Sequence, residues 1–159
     1  MNEEVRKWIK GKWVKIQTQE DPLKQGREII ERILTEAKSI VFINIAQGRP
    51  QAKAMWPILR NGMQVMWFNT DSTSKRIKQI QEDPVTTIYA YDVQRVEGVM
   101  LLGKAYVETD EKIRIQAWEK ATVTEYEGGV NDPDFQVIRF ETQDVNCFFQ
   151  GTSVSFSLL

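Results

Sequence analysis

The spacing of apolar positions changes period several times along this chain. Asp21-Pro22 reads as an N-cap followed by proline at the first helical position. Leu23, Gly26, Ile29, Ile30, Ile33, Leu34 and Ala37 then recur at helical spacing, which predicts a helix over 22–38. Residues 39–46 (Ser-Ile-Val-Phe-Ile-Asn-Ile-Ala) are β-branched and aromatic and read as a buried strand. A turn at Gln47-Gly48-Arg49-Pro50 leads to a returning strand over 51–59. The Arg60-Asn61-Gly62 turn leads to a third strand over 63–69. A helix is expected over 72–82, with Ile77 and Ile80 inward and Asp83-Pro84 ending it.

The second half continues in the same style. Residues 85–91 alternate cleanly as a strand. Residues 96–108 form a longer one, with Gly98 and Gly103 as expected kinks or bulges. Asp110 caps a helix reaching about Ala121. Strands follow over 135–140 and 145–149, and the alternating tail from Val154 to Leu158 adds an edge strand. Most strands are joined by hairpins rather than by helical crossovers. That pattern argues against a doubly wound parallel sheet and for a mainly β, antiparallel barrel with flanking helices, one domain over 1–159. Within the N-terminal extension, residues 1–21, Val5, Trp8, Ile9, Trp13 and Val14 suggest a short amphipathic helix over 2–15, weakened by Gly11. Its two tryptophans need a covering surface, and the mixed sign of the intervening charges favours protein over membrane.

Composition removes several chemistries. The net charge of -1 provides no global basic field to recruit nucleic acid. The chain has no histidine, so it has no Ser-His-Asp or Cys-His nucleophile and no His-ligated zinc. A single cysteine, Cys147, excludes an internal disulfide and reads as a buried small hydrophobe. No membrane-spanning run or signal peptide is evident, and a cytoplasmic setting is expected. Asp132, Asp134, Glu141 and Asp144 read as solvated carboxylates rather than metal ligands.

One stretch stands out, from Met63 to Lys78. An apolar strand end runs into Asn69-Thr70-Asp71-Ser72-Thr73-Ser74 and then into Lys75, Arg76 and Lys78 at a helix start. Free N–H groups, hydroxyls and lysines at such a point suit an anion, phosphate above all. The blander alternative makes Ser72 or Thr73 a plain N-cap. If the Asn61-Gly62 hairpin pairs the strands beside it, Lys53 falls opposite Thr70 and joins the hydroxyl turn at one sheet end. Trp56, Trp67 and Phe68 nearby would either fill the core or wall a planar ring.

Four phrases together resemble the pyridoxamine-phosphate-oxidase-like split-barrel flavoproteins, and most closely the bacterial general stress protein branch. They are Gly48-Arg49-Pro50-Gln51-Ala52-Lys53-Ala54-Met55; Trp67-Phe68-Asn69-Thr70 with Ser74-Lys75 and Asp83-Pro84; Gly103-Lys104-Ala105; and Gly128-Gly129-Val130-Asn131-Asp132-Pro133-Asp134. The likeness covers roughly residues 25–150. It implies a six-stranded split β-barrel, a homodimer and FMN in clefts at the dimer interface. It further implies flavin and phosphate contacts from Lys53, Ala54, Met55 and Trp56. Phe68, Asn69 and Thr70 would meet the ring and ribityl chain, and Ser74 and Lys75 the phosphate. Two departures accompany it. The family's oxidases place a polar side chain near the flavin where this chain has Gly98. Their C-terminal Trp, Arg and His give way to Asn146-Cys147-Phe148-Phe149, so vitamin B6 oxidation is not expected. No side chain stands out as a catalytic base. The expectation is an FMN-dependent oxidoreductase with an unknown small substrate. The alternatives are a non-catalytic stress-related module, or a barrel using deazaflavin or haem.

Overall fold

The structure, a computed structural model, describes residues 3–17 and 20–158, with only the backbone of Glu20. The first two strands are β1 (Glu4–Ile9) and β2 (Lys12–Ile16), followed by helix α1 (Glu20–Glu36). Then come β3 (Ile40–Ala46), β4 (Arg49–Met55), β5 (Leu59–Asn61), β6 (Val65–Asp71) and α2 (Lys75–Glu82). The chain continues through β7 (Val85–Asp92), β8 (Glu97–Val107), α3 (Glu111–Lys120), β9 (Phe135–Phe149) and β10 (Thr152–Ser157). The fold is mainly antiparallel β, as the hairpin pattern predicts.

Six strands make the barrel, hydrogen-bonded in the order β4-β3-β7-β8-β9-β6. Its terminal strands, β4 and β6, do not pair with each other, and that gap is the split. The interior follows from alternation. Phe42, Met66, Phe68, Ile88, Leu101, Ile138 and Phe140 point inward and are fully buried. Ile30, Ile33 and Leu34 of α1 and Ile80 of α2 close the same core. A second cluster lies under α3, where Ala117, Phe135 and Val137 pack with Trp67, Trp118 and Tyr126. Gly103 marks a β-bulge at its expected place, with the register shifting between Leu102 and Gly103. A Cβ there would lie 1.9 Å from the Glu141 carbonyl oxygen, so only glycine lets β8 and β9 approach.

Three expectations are corrected. The N-terminal extension is not a helix over 2–15; residues 4–16 form a β-hairpin, and residues 1, 2, 18 and 19 lie outside the described residues. Lys10 and Gly11 both take positive φ (48° and 78°), which turns the chain tightly. Trp8 then lies opposite Trp13, their rings edge to face at 5.5 Å, and β1 adds to β10. That docking also makes β10 an internal strand, not an edge. Second, the Asn61-Gly62 turn joins β5 to β6, with Leu59 opposite Trp67; β4 is not in that ladder. Pro57 lies in the short non-strand stretch between β4 and β5, and β4 pairs with β3 on the far side of the split. Third, residues 135–149 form one continuous strand because β9 pairs along its length with β6, β8 and β10 in turn. No helix among the described residues is long and apolar enough to cross a membrane.

Candidate functional site

The split is where the predicted residues meet. Lys53, Ala54, Met55 and Trp56 come from β4 and its exit, and Asn69 and Thr70 from β6; all six line one cleft, together with Arg76. The next cleft along shares Lys53 and Arg76 and adds Ser74, Lys75, Asn44, Gln51 and Gln79. So Lys53 and Thr70 are neighbours across a gap rather than partners in a ladder. The expected register is wrong, but the expected neighbourhood is right.

Local bonding explains which hydroxyls remain for a ligand. Ser72 Oγ donates to Asp134, and Thr73 donates to Asp71 through both its backbone N–H and its hydroxyl. Those bonds hold the Asp71 carboxyl below the usual carboxylate range. Neither Ser72 nor Thr73 caps the helix. Ser74 occupies the N-cap position, yet its side chain makes no cap bond to α2. Asp110 shows the contrast, its carboxylate accepting from the Ile113 N–H at 3.1 Å. We therefore expect Asp110→Ala to cost about 1 kcal/mol in urea unfolding. Ser74→Ala should cost under about 0.5 kcal/mol, as at a surface site without a specific bond. A larger loss at Ser74 would restore the capping role.

The cationic side is unbalanced. Lys53, Lys75 and Arg76 have no carboxylate partner among the described residues. Arg76 lies half-buried with its guanidinium 5.5 Å from the centre of the Phe42 ring, and its Nε is buried with no hydrogen-bond partner. Burial pulls its pKa down from the ordinary arginine value. An unpaired buried donor is costly, so an acceptor entering the cleft would gain a ready partner at Arg76. Behind it, buried Asn44 donates to Gln79 Oε1 at 2.9 Å, which leaves the Gln79 amide N–H groups for the cleft.

The aromatics divide. Trp56 is 65% exposed at the mouth of the split and offers a free ring face. Phe68 is fully buried, edge to face with Phe42 at 5.6 Å, so its side chain fills the core and does not reach the cleft. Trp67 points to the other cluster, donating through Nε1 to Glu108 at 2.9 Å. Burial pushes the Glu108 pKa up, but the Asp110 and Thr109 N–H groups, Trp67 and Arg139 outweigh it and hold it low. Arg76, Gln51, Asn44 and Gln79 were missed as site residues. Only Arg76 carried a sequence signal, standing next to Ser74-Lys75. Cys147 is buried, and desolvation pushes its thiol up to about 12. Gly98 lies beside Tyr89, whose hydroxyl takes the space a side chain at 98 would need, 2.5 Å from its Cβ position. No group of metal-ligating side chains occurs among the described residues.

A family model described as pyridoxamine 5'-phosphate oxidase like matches residues 24–156. The chain belongs to the pyridoxamine 5'-phosphate oxidase-like family. The β1–β2 hairpin lies ahead of the family's segment. No curated protein relative matches the chain. Solved structures share the fold. A Clostridium acetobutylicum protein related to general stress protein 26 of Bacillus subtilis matches with TM-score 0.73 and 18% identity, over 85% of this chain and 96% of that one. General stress protein 26 from Bacillus anthracis matches with TM-score 0.63 and 17% identity, over 77% and 92%. A heme binding protein from Mycobacterium smegmatis matches with TM-score 0.68 and 16% identity, over 89% of this chain and 59% of that one.

Proposed function

We propose that this protein binds FMN in the split and is a flavin-dependent oxidoreductase of the general stress protein type. One observation carries the reading: an unpartnered, buried Arg76 Nε beside Lys53, Lys75 and the uncommitted Ser74 hydroxyl. That donor set suits a phosphate dianion. Trp56 and the backbone of Ala54 and Met55 then support the flavin ring, and Asn69 and Thr70 face the ribityl hydroxyls. Bound FMN would supply hydride or electron transfer; the chain's own residues bind and orient it. No side chain at the site acts as a general base in this reading, and the substrate is a small molecule of unassigned class.

One relative of the fold is described as a heme binding protein. A chain with no histidine lacks the usual proximal ligand, which favours flavin. We further propose a homodimer. Cross-strand neighbours Ala54, Val41, Tyr89 and Met100 share the outer sheet face, with Tyr91 and Phe148 beside them. Tyr89 and Tyr91 are exposed there, and this apolar face borders the split through Ala54. A second copy on that face would close the ring side of the site. A reduced cytoplasmic setting suits the buried free thiol.

The test is a titration of flavin fluorescence. FMN is expected to bind saturably, and riboflavin at least about ten-fold more weakly, one charged hydrogen bond being worth about 1.5 kcal/mol or more. Lys75→Ala should weaken FMN and leave riboflavin unchanged. A colourless protein with no saturable FMN binding would sink the flavin reading, and equal losses for both ligands would remove Lys75 from the phosphate site.

A further inference from the structure

Residues 6–15, the outer part of the β1–β2 hairpin, are exposed without interruption. The base of the hairpin is fixed, because Val5 is fully buried and Ile16 packs against the core. Trp8 N–H still donates to the Gly151 carbonyl at 2.9 Å. Past it the turn stands in open space, and a Cβ at Gly11 would meet nothing within 4 Å. Strand alternation puts Trp8 and Trp13 on one face of this tip and Ile9 and Val14 on the other. All four are exposed. A flat protein partner covers one face of a hairpin and leaves the other wet; a fluid medium that the tip enters covers both.

The charges point the same way. In sequence order their signs are mixed, but the fold sorts them. Both acids lie at the base, where Glu4 pairs with Lys15 at 3.3 Å and with Arg6 at 3.7 Å, and Glu3 with Arg27 at 3.5 Å. Lys7, Lys10 and Lys12 stand at the tip, with no carboxylate partner among the described residues. The tip is thus apolar and cationic, on a chain whose net charge is -1. We propose that it enters the headgroup region of an anionic lipid surface and anchors the barrel there reversibly. Indole suits that depth, with an apolar ring and an N–H that stays wet. The lysine stems lie along apolar surface while their ammonium groups reach the acidic headgroups. The family's segment begins at residue 24, so this anchor is an addition to the barrel and independent of what the split binds.

The experiment sediments the full chain with vesicles of phosphatidylcholine alone, and with vesicles containing about one-third phosphatidylserine. Binding is expected to the second kind and not to the first. Raising the salt from about 0.1 M to about 1 M should release it, as the screening length falls from about 10 Å to about 3 Å. Lys10→Asn with Lys12→Gln should weaken binding about thirty-fold. Asparagine tolerates the positive φ of 48° at position 10, so this variant keeps the turn. Trp8→Ser with Trp13→Ser should weaken it at least about ten-fold. No binding to either vesicle, equal binding to both, or unchanged binding by the lysine variant overturns the proposal. A tryptophan variant that splits an oligomer, in a protein that ignores both vesicles, would make the tip a contact between copies and also overturns it.

Discussion

Arg76→Ala is expected to lower FMN affinity about thirty-fold, the equivalent of about 2 kcal/mol for lost charge-assisted hydrogen bonds. Riboflavin affinity should not move. Arg76 is held for this task by three features at once. Its guanidinium lies over Phe42 at 5.5 Å, its Nε is buried, and its surroundings depress its pKa. A solvated lysine pays its desolvation only when ligand arrives, but Arg76 is already desolvated. Its contacts are therefore pre-organised, and its removal should exceed the effect of Lys53→Ala or Lys75→Ala. Arg76→Lys should recover little, because an ammonium lacks the planar fork. The unliganded protein should lose almost no stability in Arg76→Ala, since the variant also removes an unpaired buried donor. Thirty-fold loss for FMN and riboflavin alike would mean that Arg76 shapes the cleft rather than holding phosphate.

What could be read from the sequence follows how local the physics was. Strands β3, β7 and β8 and helix α3 are set by alternation, capping and turn residues close in sequence, and they lie within a residue or two of the expected bounds. The Gly103 bulge was legible because glycine in a strand interior has few other causes. The N-terminal hairpin was not. Val5, Trp8, Ile9 and Trp13 fit a helical stripe as well as a strand pair, and the deciding partner, β10, lies near the other terminus of the chain. The same non-locality misplaced β4. An Asn-Gly turn does make a hairpin here, but with the three-residue β5, and the strand carrying Lys53 pairs with β3 alone.

The site was legible as a list of residue types and less so as a set of directions. Lys53, Ser74 and Lys75 line one cleft as expected. Phe68 does not, because strand alternation sends every second side chain of β6 inward, and Asn69 faces the cleft only by standing next to it. Arg76 was harder to place. On the sequence it is one of three cations at a helix start, and only packing against Phe42 separates it from Lys75 and Lys78. The unpaired donor that supports the flavin reading most strongly is thus a tertiary fact with almost no sequence signature.

Arg32→Leu is expected to destabilise the fold by about 3 kcal/mol, lowering the melting temperature by on the order of 10 °C. Arg32 reaches from α1 to both strands at the turn end of the β7–β8 hairpin, bonding Asp92 at 2.9 Å and also Glu97. The two acids are not equivalent. Asp92 also accepts from the Arg95 side chain at 2.6 Å and from the Arg95 and Gln94 N–H groups, which hold its pKa well below the ordinary carboxylate range. It stays satisfied without Arg32. Glu97 is 6% exposed, and Arg32 is its one partner among the described residues. Losing Arg32 therefore leaves a buried carboxylate without compensation, and the cost falls on Glu97. The double variant Arg32→Leu with Glu97→Gln should recover at least half of the loss, because it removes the stranded charge. Urea unfolding of the four proteins in that cycle measures the coupling. Additive losses, or Arg32→Leu within about 0.5 kcal/mol of the parent, would show that Glu97 is already solvated. The hairpin that these contacts anchor carries Tyr91 beside the apolar outer face. A loosened hairpin should accordingly weaken the proposed homodimer before it affects the cradle across the split.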